Sequence, residues 1–116
     1  IVYRRDISRK ESVKFKDLDK YVENTLKEMQ VALYEKSTRS LFENVVAAKD
    51  YVALERAMNN KKIALLALCE NGACEDQIKG KTGGAKSICI SSRDIKGACL
   101  NCGKEAKHMV YFAKTY

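Results

Sequence analysis

Four cysteines fall into two close pairs. Cys69-Glu-Asn-Gly-Ala-Cys74 is a C-x4-C, and Cys99-Leu-Asn-Cys102 is a C-x2-C. Zinc takes four thiolates in a tetrahedron, and two pairs brought together by a fold supply that set with little loop strain. Gly72 and Ala73 let the first loop turn tightly. Gly103, directly after Cys102, permits a turn that aims backbone N–H groups at thiolate sulfur. A metal held by four thiolates has no open coordination position, so its role is structural rather than catalytic. Disulfide or redox use stands as the alternative. Disulfides leave an odd thiol among the five cysteines, in a chain that opens on no basic-then-apolar leader. A thioredoxin-type pair opens a helix after a strand, whereas Cys99 follows a predicted loop. The fifth cysteine, Cys89, lies between Ile88 and Ile90 in a predicted strand and reads as a free, inert thiol.

Other chemistries find little support. A single histidine, His108, excludes schemes that need two, and no G-x-S-x-G elbow is present. His108 itself reads as a strand surface residue rather than a ligand. The stretch Gly80-Lys-Thr-Gly-Gly-Ala-Lys-Ser87 approaches a phosphate-binding loop. Ala85 stands where that motif requires glycine, however, and a strand follows where a helix must aim its N-terminus at the phosphates. It reads as a glycine turn.

The elements that would position the cysteines follow from periodicity. Residues 1–16 read as extended, with Val13 and Phe15 alternating with lysines. From Asp17, Leu18, Val22, Leu26, Met29 and Leu33 recur at helical spacing, predicting an amphipathic helix to about Leu41 that packs on its own core. Asn44 to Ala48 is a predicted strand. Asp50 can cap a helix with inner face Tyr51, Leu54, Ala57 and Met58, ending at Asn59-Asn60. The unbroken apolar run from Ile63 predicts a buried strand to Leu68. A short helix over 75–79 and two further strands, 85–90 and 107–112, complete the order β-α-β-α-β-β. That order implies an α+β fold, a two-layer sandwich with helices on one face, preceded by the long amphipathic helix.

The 116 residues carry 46% apolar and 32% charged side chains, the composition of an ordinary globular chain. The net charge is +7, concentrated at the two ends around a mildly acidic middle, which favours an anionic partner without identifying it. The apolar run from Ile63 to Cys69 is far short of the ~20 residues a membrane span needs. The chain opens on Ile1 rather than Met and reads as a piece of something longer.

Taken together, several segments resemble one family. They are Cys69-x4-Cys74, the strand Gly84-Ala-Lys-Ser-Ile-Cys-Ile90, Cys99-x-x-Cys102-Gly-Lys-x-Ala-Lys107 and the ending Val110-Tyr-Phe-Ala-Lys-Thr-Tyr116. This combination resembles the C-terminal zinc-binding domain of archaeal/eukaryotic-type prolyl-tRNA synthetases. Upstream, Val2-Tyr-Arg-Arg-Asp6 is similar to the closing strand of that family's anticodon-binding domain. The helix carrying Met29-Gln-Val-Ala-Leu-Tyr34 is similar to its connecting helix.

The resemblance implies three segments: 1–16 ending an anticodon-binding domain, 17–43 as connecting helix, and 44–116 as the zinc domain. It implies structural Zn²⁺ on Cys69, Cys74, Cys99 and Cys102, and a C-terminal carboxylate on Tyr116 that approaches the parent's active site. The parent it implies is a cytoplasmic, homodimeric class II synthetase that uses ATP and Mg²⁺ to ligate proline to tRNA(Pro). The partners of this chain would then be tRNA(Pro) and the catalytic and anticodon-binding domains of the same polypeptide, with no membrane. The chain by itself would catalyse nothing. Two positions depart from the family pattern: Leu68-Cys69-Glu70 replaces an aromatic-Cys-Gly stretch, and Lys114 stands where arginine is common. A free-standing basic zinc module that binds RNA or DNA is the alternative.

Overall fold

The computed structural model describes residues 1–114. The chain divides into two compact units, Ile1–Phe42 and a second beginning at Glu43.

In the first unit, strands β1 (Val2–Arg4) and β2 (Arg9–Glu11) form an antiparallel hairpin in which Val2 faces Glu11. Arg4 anchors it, its guanidinium donating to Asp6 at 2.9 Å and to Glu28 at 2.7 Å. Residues 13–15 do not continue as a strand. Phe15–Asp17 is a single 3-10 turn, closed by Asp17 N–H on Lys14 C=O at 3.0 Å, because so short an alternation has no neighbouring strand to pair with. Helix α1 follows, Leu18–Asn44. Its apolar stripe is not packed on a core of its own: Leu26 and Leu33 are 60% and 61% exposed, and Thr25 is the buried residue of the helix. The hairpin, with three residues per strand, presents too little apolar surface to cover a 27-residue helix.

The second unit is built on a four-stranded sheet in the order β3-β4-β6-β5. These are β3 (Val45–Ala47), β4 (Ile63–Leu68), β5 (Ala85–Ser91) and β6 (His108–Lys114). Strands β3 and β4 are parallel and need a crossover, which helix α2 (Tyr51–Asn59) provides. The Asp50 carboxylate caps α2 by accepting from Ala53 N–H at 2.7 Å. Strand β6 lies antiparallel to both β4 and β5, with a bulge in β5 between Ser87 and Cys89.

The unbroken apolar run of β4 has a direct cause, since an interior strand is covered on both faces. Ala64, Leu66 and Leu68 pack with Leu54, Ala57 and Met58 of α2, with Ile78, and with Val110 and Phe112 of β6. Leu65 and Ala67 face the other way, onto Ala106 and Met109. Helix α3 spans Gly72–Lys81, a turn longer at its start than the predicted 75–79. Asn71 caps it, its side-chain oxygen accepting from Ala73 N–H at 3.0 Å, so Gly72 and Ala73 open a helix rather than forming a loop. This is the α+β, two-layer arrangement expected. No helix among the described residues is long and apolar enough to cross a membrane.

Candidate metal centre

Cys69 directly follows β4, and Cys74 lies in the first turn of α3. The first pair is therefore set by a strand end and a helix start joined by a short turn, with Cys74 N–H bonded to Asn71 C=O at 2.9 Å. A helix N-terminus favours negative charge, which suits a thiolate. The second pair is held by a tight turn. Cys99 N–H donates to Lys104 C=O at 2.8 Å, and Gly103 N–H donates back to Cys99 C=O at 2.9 Å. Gly103 has φ +70, the left-handed conformation that glycine adopts without a Cβ clash.

Two further bonds join this turn to the end of β4. Leu100 N–H donates to Ala67 C=O at 3.0 Å, and Lys107 N–H donates to Leu68 C=O at 2.9 Å. The Cys99–Cys102 turn is thus fastened beside the strand that ends at Cys69.

The four sulfurs lie within 4.8 Å of one another. Cys69 Sγ is 3.6 Å from Cys74 Sγ and 3.7 Å from Cys102 Sγ. A disulfide requires about 2.05 Å, and all five thiols are free. Cys74 and Cys99 are buried, Cys69 is half-buried and Cys102 is exposed. Among the described residues, this is the group of histidine, cysteine and acidic side chains that could hold a metal ion.

The surroundings set the thiols apart. At Cys69 the backbone N–H of Asn71 favours the thiolate, but burial and the neighbouring Cys74, Cys99 and Cys102 thiols outweigh it and push the group up to about 12. At Cys99 burial favours the thiol, yet the backbone N–H groups of Cys102, Cys69 and Asn101 together bring it down to about 6. Hydrogen bonds to the charged form stabilise it. Peptide N–H groups aimed at sulfur therefore supply part of what a bound cation would supply.

The remaining sequence-predicted features fall elsewhere. Cys89 is in β5, outside the cluster and exposed, on an edge strand that also exposes Ile88 and Ile90. His108 opens β6 with its Nε2 3.6 Å from Glu70 and is likewise outside the cluster. Gly83 and Gly84, at φ +66 and +109, turn the chain straight from α3 into β5, so the glycine-rich stretch is a turn. Tyr116 lies outside the described residues. The sequence reading missed Asn71 as a helix cap, although asparagine before small residues and a run of helix formers is a recognisable N-cap signal. It also missed Asn101 and Tyr51 as neighbours. Their phenol-to-amide hydrogen bond, 2.6 Å long, joins residues fifty apart and leaves no local pattern.

Comparison with known proteins bears on the family and the fold. Residues 51–116 match the family described as prolyl-tRNA synthetase, C-terminal. The whole chain aligns with a proline–tRNA ligase of Alkaliphilus oremlandii, 33% identical over 118 residues and covering 25% of that relative. Two crystal structures of prolyl-tRNA synthetase from Cryptosporidium parvum share its fold at TM-score 0.89. The one complexed with L-proline and AMP is 28% identical, and the one complexed with halofuginone and AMPPNP is 26% identical. Each alignment covers 98% of this chain and 25% of the neighbour. The chain thus spans about a quarter of the length of the relatives it matches. With more than half of its residues matched and its β-α-β-α-β-β order in place, the chain belongs to the family of prolyl-tRNA synthetase C-terminal domains.

Proposed function

We propose that this chain is the C-terminal, structural zinc-binding portion of an archaeal/eukaryotic-type prolyl-tRNA synthetase. The observation that carries the reading is the spacing of its sulfurs. A tetrahedral Zn²⁺ with Zn–S bonds of about 2.3 Å has S···S edges of about 3.8 Å, and the sulfurs of Cys69, Cys74 and Cys102 are spaced at 3.6 and 3.7 Å. The donor set of four thiolates suits zinc and leaves no position for a reacting water. Cys69, Cys74, Cys99 and Cys102 would hold the ion, which when bound supplies a covalent-like clasp between the two turns.

In this reading residues 44–116 form the zinc domain, 17–43 the connecting helix and 1–16 the end of an anticodon-binding domain. The exposed stripe of α1 supports that division, because a long helix with so much apolar surface suits packing by further chain. The parent ligates proline to tRNA(Pro) with ATP and Mg²⁺, in the cytoplasm and as a homodimer. Its partners for this chain are tRNA(Pro) and the other domains of the polypeptide. The Tyr116 carboxylate is directed to the parent's active site. In this reading the chain itself is non-catalytic.

A chimera tests the reading. The present chain replaces the C-terminal quarter of the Alkaliphilus oremlandii ligase, and prolylation of tRNA is measured beside zinc content. Retained prolylation with one zinc per chain is expected, together with loss of both on Cys69→Ser/Cys102→Ser substitution. The chain by itself should show no proline-dependent ATP–pyrophosphate exchange. A chimera that binds zinc but cannot charge tRNA, beside tight, salt-sensitive RNA binding by the chain alone, would favour a free-standing nucleic-acid module instead.

A further inference from the structure

Between the two cysteine pairs runs a second, metal-free connection. Asn101 sits inside the C-x2-C turn, flanked by Leu100 and Cys102. Its side-chain oxygen accepts from the Tyr51 phenol at 2.6 Å and from the Lys81 ammonium at 3.4 Å, while its NH2 donates to Gln77 Oε1 at 2.8 Å. The Lys81 ammonium also lies 4.4 Å from the centre of the Tyr51 ring, within cation–π range. One amide is thereby held from three directions by two helices. Tyr51 is the first residue of α2, fixed by the adjacent Asp50 cap. Gln77 and Lys81 are on α3 with Cys74, and the spacing 74, 77, 81 places all three on one face of that helix.

The geometry points to Asn101 as a positioning residue for the metal centre, holding the Cys99–Cys102 turn against the helix that carries Cys74 before any ion arrives. This rests on the reading of the four cysteines as metal ligands. Its physical content is an entropy argument. Cys102 is exposed, so a turn without side-chain anchors is free to open when no cation is bound. Metal binding must then order it again, and that ordering weakens affinity. Asn101, locked by Tyr51, Gln77 and Lys81, removes this cost. Residues that orient ligands without touching the ion typically change metal affinity by about 10–100-fold.

The test measures zinc affinity by chelator competition, and cobalt(II) spectra, on the whole protein and on Asn101→Ala, Tyr51→Phe, Gln77→Ala and the Tyr51→Phe/Asn101→Ala double variant. Each is expected to bind one ion with the cobalt–thiolate charge-transfer band of the parent protein, since the four sulfurs are unchanged. The dissociation constant should rise about 10–100-fold for Asn101→Ala and several-fold for Tyr51→Phe. The double variant should be no worse than Asn101→Ala, because both substitutions break the same link. Leu65→Ala, which weakens the packing on the opposite face of β4, should lower thermal stability yet leave affinity unchanged where the metal-free protein stays folded. Tyr51→Phe removes a single oxygen and carries the test if Asn101→Ala does not fold. Variants that bind metal within twofold of the parent overturn the role of Asn101 and leave the metal site standing. A parent protein that binds neither zinc nor cobalt overturns the metal site and this inference with it.

Discussion

The sulfurs of Cys69 and Cys102 lie 3.7 Å apart although thirty-three residues separate them in the chain. Closing so long a loop has an entropic cost, and here the sheet bears it. Ala67 and Leu68, at the end of β4, accept backbone hydrogen bonds from Leu100 and Lys107, so hydrogen bonding at the strand end brings the second turn to the first. A metal would fasten an arrangement that the strands already favour.

Metal removal is the first consequence. Binding to small thiolate sites is worth on the order of 10 kcal/mol. A strong chelator should therefore release one zinc per chain and lower the thermal midpoint sharply. Elemental analysis and differential scanning calorimetry check this. Serine at Cys74 or Cys99 should act like the chelator, because each removes a ligand and leaves a buried hydroxyl in its place.

The pH dependence of the metal-free protein has two opposed limbs. Cys99 is lowered from 9.0 to about 6, so its contribution is present above pH 9 and is lost as pH falls toward 6. Cys69 is raised from 9.0 to about 12, so its contribution is present below pH 9 and is lost as pH rises toward 12. Stability of the metal-free fold should peak near pH 9. Denaturant midpoints measured across that range test it, and a profile that falls steadily from pH 6 to 9 would contradict the assignment at Cys99.

Thiol reactivity should separate the fifth cysteine from the other four. Cys89 is exposed on β5 and lies outside the cluster. An alkylating reagent should modify it in the metal-bound protein while the remaining thiols are protected, and all five should react after chelation. Cys89→Ser should change stability by less than about 0.5 kcal/mol, as substitutions at exposed sites usually do, with unaltered zinc content.

The core should respond most strongly at Phe112, which is fully buried between β4 and β5. Phe112→Ala should cost about 3–5 kcal/mol. Asp50→Ala, which deletes the α2 cap, should cost about 1 kcal/mol. Urea unfolding of the metal-bound protein measures both, and a cap effect larger than the core effect would reverse the order of importance derived from burial.

Much of this was written locally in the chain. The paired cysteines, the unbroken apolar run of β4, the Asp50 cap and the Gly83-Gly84 turn each act over a few neighbouring residues. Their effects could therefore be read without a structure. Helical period likewise announced α1 and α2, because side-chain spacing and backbone geometry are the same fact seen twice. The helix signal of α3 begins late in the sequence because Gly72 weakens it, whereas the cap at Asn71 starts the helix at Gly72.

How distant segments meet depends on packing across the whole fold. Sequence spacing allows either a metal or disulfides at Cys69, Cys74, Cys99 and Cys102. The fold brings all four sulfurs within 4.8 Å of one another, a group that could hold a metal ion. Periodicity gave Leu26 and Leu33 a buried face, and the structure leaves them open, since amphipathic spacing states that a helix has an apolar side but not what covers it. Cys89 was placed in a strand correctly, yet its exposure depended on β5 being an edge, a property of strand order. The link from Tyr51 through Asn101 to Gln77 and Lys81 had no local signature at all. Hydrogen bonds between residues twenty to fifty positions apart depend on the packing of helices against a turn, and only the folded chain specifies that.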